Sequence, residues 1–291
     1  MHLKEKKITD KEKELISKLY REIYKNFSNY QVDVFLCGGD VTKDTDRRKL
    51  NEYLKNEKDI MIFYPEHIFV EYFNINQKSD YLTLEKLLAE NVDFICIVCE
   101  SPGAIAELGA FSANKSIMHK IFALLKKDFE KDESFINLGP VRHLLKNDKN
   151  SVQYYNSDNF EKICTKFKTK IKRYLKEAPE IKTINHITGM FYFISLLLYI
   201  FKELQRDFIF SYVKFIYSSI EKNRRISQIK PIYYAAEKLL FNKGIIKVKN
   251  RDSLELTLLG YSFISNLLNK NRNYCYDNII CDIMRYKYYK Y

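Results

Sequence analysis

No stretch of this 291-residue chain is apolar for long enough to span a bilayer: the longest, at 190–201, runs 12 residues, against the roughly 20 that a helical span requires. It reads as a buried core helix. The amino-terminal segment MHLKEKKITDKEKE is charged from its third residue onward and offers neither a signal-peptide core nor a transit-peptide composition. A cytoplasmic location without a membrane partner is therefore expected. Cysteine is sparse, with six residues at 37, 96, 99, 164, 275 and 281 and none of the dense, even spacing of a disulfide scaffold; reduced thiols follow. Cys96 and Cys99 form a CxxC, but within the apolar run DFICIVC, where a three-residue offset puts two side chains on opposite strand faces. Core packing is expected there, and no metal site. Low-complexity blocks are missing too, and the hydrophobic fraction of 46% and charged fraction of 30% are those of a folded soluble protein.

What is present is a surplus of cations. The net charge is +12, and residues 176–291 hold 19 Lys and Arg against 10 Asp and Glu, whereas residues 1–175 hold 30 against 27. A basic surface gathers phosphates by Coulomb attraction and counterion release, so the C-terminal part is the expected contact with a polyanion. A solvated basic surface is the plain alternative.

The first half alternates short β-rich runs with helical stretches, the order of a parallel sheet covered by helices on both faces. Strands are predicted at 32–36, 60–64, 94–99 and 120–125, with a short fifth at 152–155, and helices at 47–55, 82–90, 104–113 and 159–176. Ligands in such sheets sit beyond the carboxyl ends of the strands. Cys37, Gly38, Gly39 and Asp40 fall there, as do Pro65 and Glu66, and Glu100, Ser101, Pro102 and Gly103. The character changes near Pro179, which divides the chain into an α/β domain over 1–178 and a mostly helical domain over 179–291. The second reads as helices up to Asn242, then KGIIKV, the charged turn NRDS, LELTLLG and a last helix at 261–268. That is the appearance of a winged helix-turn-helix, with 230–242 as recognition-type helix and 247–252 as wing. Its candidate nucleic-acid contacts are Arg224, Arg225, Lys230, Lys238, Lys247, Lys249 and Arg251. The tail, with Tyr274, Tyr276, Tyr286, Tyr288, Tyr289 and Tyr291, reads as a docking strip.

The segment SPGAIAELGAF carries the chemistry. Ser101 suits an N-cap, Pro102 the first helical position, and Gly103 a close approach to the backbone. The helix so opened presents N–H groups and its positive dipole end where a phosphate or ribose hydroxyls would be held. Glu107 follows about one and a half turns in, among Ala104, Ala106, Gly109 and Ala110, small enough for the helix to lie tightly on the sheet. Breaking an N-glycosidic bond develops oxocarbenium character, which a carboxylate beside the anomeric carbon stabilises or attacks. Glu66, Glu85, Asp93 and Glu100 are further acidic candidates near strand ends, and Asp40 could accept a sugar hydroxyl. Read blandly, each is a solvated or structural carboxylate.

The strand, Ser-Pro-Gly turn and AELG helix, preceded by LTLEKLLAENVD, resemble the nucleoside 2-deoxyribosyltransferase-like domain of effector proteins encoded beside bacterial retrons. The FINLGPV segment and the C-terminal part are similar to that family as well. The resemblance covers most of the chain and implies a Rossmann-like parallel sheet, with Glu107 as catalytic nucleophile and Glu85 assisting the leaving base. It further implies an antiphage toxin of the abortive-infection kind. Such a toxin is held with a reverse transcriptase and its branched RNA–DNA product (msDNA), as a homo-oligomer or higher assembly, and depletes a nucleotide such as NAD. NAD is then a substrate, and no cofactor is implied. Base-transferring relatives are compact and lack a winged helix, which favours hydrolysis here. Cytokinin-type phosphoribohydrolases carry more glycine where this chain has Ala104 and Ala106. A reading from another class is a nucleotide-sensing DNA-binding regulator without catalysis, and a third is a structural subunit that packages nucleic acid.

Overall fold

The computed structural model describes residues 3–26, 31–57, 59–64, 81–177, 182–220, 229–270 and 276–289. Pro65, Glu66, Pro179, Arg224, Arg225, Tyr274 and Tyr291, singled out above, lie outside these. The described residues form two compact units, one of 31–57, 59–64 and 81–177, the other of 3–26, 182–220, 229–270 and 276–289.

Helix α1 (Asp10–Lys18) starts at a capping box in which the Thr9 side chain accepts from the Glu12 N–H and the Glu12 carboxylate accepts from the Thr9 N–H; two of the donors a helix start leaves open are thereby satisfied. The chain continues in a wide π-turn over Leu19–Ile23 and a tight 3-10 turn over Tyr24–Asn26. Leu15, Ile16, Leu19, Tyr20, Ile23 and Tyr24 are buried. Their partners lie far along the sequence: Tyr20 and Tyr24 pack edge-on against Phe193, and the Tyr24 hydroxyl donates to the Gly189 carbonyl at 2.9 Å.

The α/β unit follows the expected alternation: β1 (Val32–Cys37), α2 (Asp46–Leu54), β2 (Ile60–Phe63), α3 (Tyr81–Glu90), β3 (Phe94–Val98), α4 (Pro102–Ser112), β4 (Ile121–Lys126), α5 (Arg142–Asn147), β5 (Val152–Tyr155) and α6 (Phe160–Glu177). The strands make one parallel sheet in the order β2-β1-β3-β4-β5. Every residue of β1 and β3 is buried, which is why they read as unbroken apolar runs and not as alternation. One face of the core gathers Val34, Leu36, Cys96, Val98, Phe122 and Leu124 against Phe167 and Ile171 of α6, with Phe122 and Phe167 stacked at 4.6 Å. Each such side chain contributes about 1.5–3 kcal/mol when fully buried. The crossovers leave β1 toward β2 on one side and reach β3 on the other, so the carboxyl ends of β1 and β3 flank the switch point.

In the second unit α7 (Ile187–Phe201) is buried at nearly every position, as its composition predicts. After it come β6 (Glu203–Gln205), α8 (Arg206–Phe215), α9 (Ile229–Asn242), β7 (Ile246–Asn250), β8 (Ser253–Leu256), α10 (Leu258–Lys270) and α11 (Asp277–Tyr289). The three strands form an antiparallel sheet in the order β6-β8-β7. Gly244, at φ 65°, ends α9 with the left-handed cap that glycine accommodates. Residues 277–289, within the tail read as a docking strip, form a helix that buries Ile279 and Ile283, and Tyr286 shares a hydrogen bond with Thr9. Helix α9, read as a recognition helix, buries Ile229, Pro231, Ile232, Tyr233, Ala235, Ala236, Glu237 and Leu240 inside the unit and leaves Lys230 and Asn242 exposed. No helix among the described residues is long and apolar enough to cross a membrane.

Candidate active site

The turn after β1 is shaped by two charged side chains. Arg47, buried in the first turn of α2, donates to the carbonyls of Gly39 at 3.0 Å and Leu36 at 2.6 Å, and its guanidinium lies over the Tyr64 ring. Glu100, just past β3, accepts from the N–H groups of Gly39 (3.0 Å), Asp46 (2.7 Å) and Arg47 (3.0 Å). A carboxylate at a helix start satisfies open donors and opposes the positive end of the dipole. Gly38 and Gly39 are small for the same reason. A Cβ on Gly38 would lie 2.9 Å from the Arg47 Cβ, and one on Gly39 would lie 3.1 Å from a Glu100 oxygen. The two glycines and Glu100 thus have structural work that accounts for them. Asp40 is exposed and turns back on Thr42, accepting from its N–H and hydroxyl, which holds its carboxyl below the usual range.

On the neighbouring strand the Ser101 hydroxyl caps α4 by accepting from the Ala104 N–H at 3.2 Å, and it donates to the Gly38 carbonyl at 3.3 Å. The ends of β1 and β3 are thereby tied together. Pro102 and Gly103 are exposed, and the first turn of a helix leaves its N–H groups without intrahelical acceptors. Ala104, Leu108 and Phe111 form the buried stripe of α4. Glu107 stands at the edge of that stripe, half-buried. The small neighbours are less closely packed than their size suggested: Ala106 is exposed, and a Cβ on Gly109 would touch nothing.

Glu107 reaches the end of β1. The wholly buried Cys37 thiol is held well above its usual range by burial, by the charge of Glu107 and by hydrogen bonding to it, with Glu85 of α3 adding to the effect and Arg47 opposing it. Cys99 is pushed up to about 12 by burial and by the charges of Glu107 and Glu100. The structure thus brings together Cys37, Glu85, Glu107, Glu100 and Ser101 at the switch point. Asp93 is not among them. It precedes β3 at the opposite end of the sheet, where its carboxylate accepts from the Asp33 N–H at 2.7 Å and the Tyr174 hydroxyl at 3.1 Å.

Sequence reasoning passed over Arg47, Cys99 and a polar group farther along the same edge, where Asp46 accepts from Lys126 and from the Tyr155 hydroxyl at 2.9 Å. Asp46 is held low by those hydrogen bonds and by the Lys126 charge, against the opposing effect of burial, which is the largest single influence. Nothing local marks these residues, although their positions at strand ends and in the first turn of a helix are where such groups collect. Cys96 lies in the core, and no group of three or more metal-ligating side chains occurs among the described residues.

The cations assigned to nucleic acid divide. Lys247 pairs with Glu255 at 3.1 Å, and Lys249 with Glu203 at 2.9 Å and Glu255 at 3.2 Å. Arg251 is exposed at the β7–β8 turn. Lys230 lies over the Phe210 ring, and Lys238 is half-buried on α9.

These features define an α/β protein with a carboxylate-bearing switch point on a parallel sheet, joined to a helical unit that carries a small antiparallel sheet. The chain belongs to the STM3845 retron effector protein family, whose model matches residues 43–248. That span runs from the turn after β1 into β7. The chain is also similar to two Escherichia coli proteins. One is described as "Retron Ec86 putative ribosyltransferase/DNA-binding protein", 28% identical over 97% of this chain and 94% of that protein. The other is described as "Retron Ec73 putative ribosyltransferase/DNA-binding protein", 29% identical over 46% of each chain.

Proposed function

We propose that the α/β unit hydrolyses the N-glycosidic bond of a nucleotide, NAD before others, with Glu107 acting at the anomeric carbon. The observation that carries this reading is Glu107 set against the buried Cys37 thiol at the switch point, on the helix whose first turn is open. A phosphate or ribose hydroxyl fits at Ser101 and Gly103, where the helix N-terminus attracts negative charge. Glu107 then stabilises the oxocarbenium ion or attacks its carbon, and Glu85 assists the departing base. In NAD the attached nicotinamide ring is cationic and leaves as a neutral base, so water yields ADP-ribose, nicotinamide and a proton without a further cofactor. The ribosyltransferase wording of the relatives' names supports a glycosyl-transfer chemistry.

The retron family supports the rest of the proposal: an antiphage toxin of the cytoplasm, restrained by assembly with reverse transcriptase and msDNA as a homo-oligomer or larger complex. The helical unit is its partner module, a winged-helix variant that makes contact through Lys230 of α9 and the β7–β8 turn around Arg251. The test is release of free base from NAD and from nucleosides, followed by chromatography. Glu107→Gln keeps size and removes charge, so the rate should fall by about a hundredfold or more, the scale on which a preorganised electrostatic group acts, and toxicity in cells should go with it. Base release at the parental rate would return Glu107 to the status of a helix-surface residue.

A further inference from the structure

We propose that the groove between α6 and the edge strand β5 holds the phosphodiester backbone of a nucleic acid. This inference is independent of the role given to Glu107.

Helix α6 has two faces. Ile163, Cys164, Phe167 and Ile171 are buried against the sheet, and Lys162, Lys166, Lys170 and Arg173 follow at spacings of four, four and three, which aligns them along the helix. Beside this row runs β5, the last strand of the sheet. Between them lies a groove of about 690 Å³ whose lining includes all four cations, the hydroxyl-bearing Thr165 and Thr169, and a single carboxylate, Asp148. At 1.5 Å per residue the row spans about 16 Å, room for several successive phosphates.

Half of these cations, Lys162 and Lys166, make no ion pair among the described residues. Lys170 is paired, with Asp148 at 2.8 Å. Lys166 donates to the neutral Gln153 side chain at 2.8 Å. Arg173 has Glu177 at 3.6 Å, with both side chains largely exposed. Lys247 and Lys249 of the β7–β8 hairpin, by contrast, face Glu203 and Glu255. Like charges stacked along a helix face repel one another, and an anion of repeating charge relieves all of them together. Of the apolar lining residues Phe122 and Ile163 are themselves buried and Tyr154 is half-buried, so the row of cations is the groove's leading exposed feature. Such a basic track beside one aromatic ring fits a salt-sensitive grip on the backbone.

The test uses the full chain and a fluorescein-labelled single-stranded DNA oligonucleotide. K162E/K166E/R173E should weaken binding at least tenfold at low salt and make the log–log salt dependence shallower by about two, the loss of some three phosphate contacts. K55E/K115E/K127E, an equal change of charge on exposed lysines elsewhere, should leave both nearly unchanged. In the unsubstituted protein the oligonucleotide should protect Lys162 and Lys166 from an amine-reactive label. Equal effects of the two triple variants, or labelling of Lys162 and Lys166 at one rate with and without DNA, would overturn the proposal. So would aggregation of the groove variant with undiminished DNA affinity, which would make the row a guard against pairing at the β5 edge. Polyglutamate outcompeting the oligonucleotide at equal charge would assign the groove to an acidic protein.

Discussion

Two side chains show how differently individual residues declare themselves. The place of Glu107 on the helix that opens after β3 was legible because its signals are local: an N-cap, a helix-starting proline and a glycine immediately after an apolar strand. Arg47 was not, because its burial depends on carbonyls of another element, Leu36 and Gly39, and on the room their glycines leave. Cys99 is a third case, a thiol in an apolar run whose acidity is set first by burial and then by the charges of Glu107 and Glu100. Its raised value in the folded state favours the protonated form. The stabilisation is therefore fully present below the ordinary thiol value near 9 and is lost as pH rises toward about 12. At about pH 10.5 the protein should have lost about 2 kcal/mol at this site. Urea midpoints of the protein and of Cys99→Ala, compared at about pH 8 and pH 10.5, should show a smaller fall in the variant. Parallel falls would place the thiol in an environment open to water.

At the scale of elements, the parallel strands could be read because burial on both faces leaves an apolar run between turn residues, and the observed bounds differ from the expected ones by a residue or two. The faces of helices were harder. Helix α9 shows Lys230 at its surface, but how much of the rest packs inside the unit, eight buried residues, is a fact that lives in tertiary contacts. The lysines of β7 met carboxylates of β8 and of β6 beyond it. Glu100 connects the elements around the switch point, since three N–H groups from the β1 turn and α2 converge on it. Glu100→Ala would leave partly buried donors without their charged acceptor and should cost about 3 kcal/mol. Glu100→Gln retains one acceptor oxygen and should cost less. Chemical denaturation ranks the two, and equal stability of Ala and the parent would show that water replaces the carboxylate.

For the whole molecule, the least legible feature is that residues 3–26 belong with the C-terminal elements. The periodicity of α1 marks an amphipathic helix but not its partner, which is set by contacts such as Tyr24 with Gly189 and Thr9 with Tyr286. Deleting residues 1–26 removes seven buried apolar or aromatic side chains from that unit, Leu3 among them. Limited proteolysis of the truncated protein should digest 182–289 rapidly while fragments spanning 31–177 survive. Survival of both parts would show that the helical unit closes without α1.

This nesting also sets a timetable during synthesis. A ribosome adding about 5–20 residues per second finishes α6 before any of α7 to α11 is made. For some seconds, on the order of ten, the nascent chain holds a complete α/β sequence, while α1 waits for strands and helices that do not yet exist. Any restraint exerted through the helical unit therefore begins only after the last helix has left the ribosome, and each newly made molecule passes through an interval in which that restraint is missing.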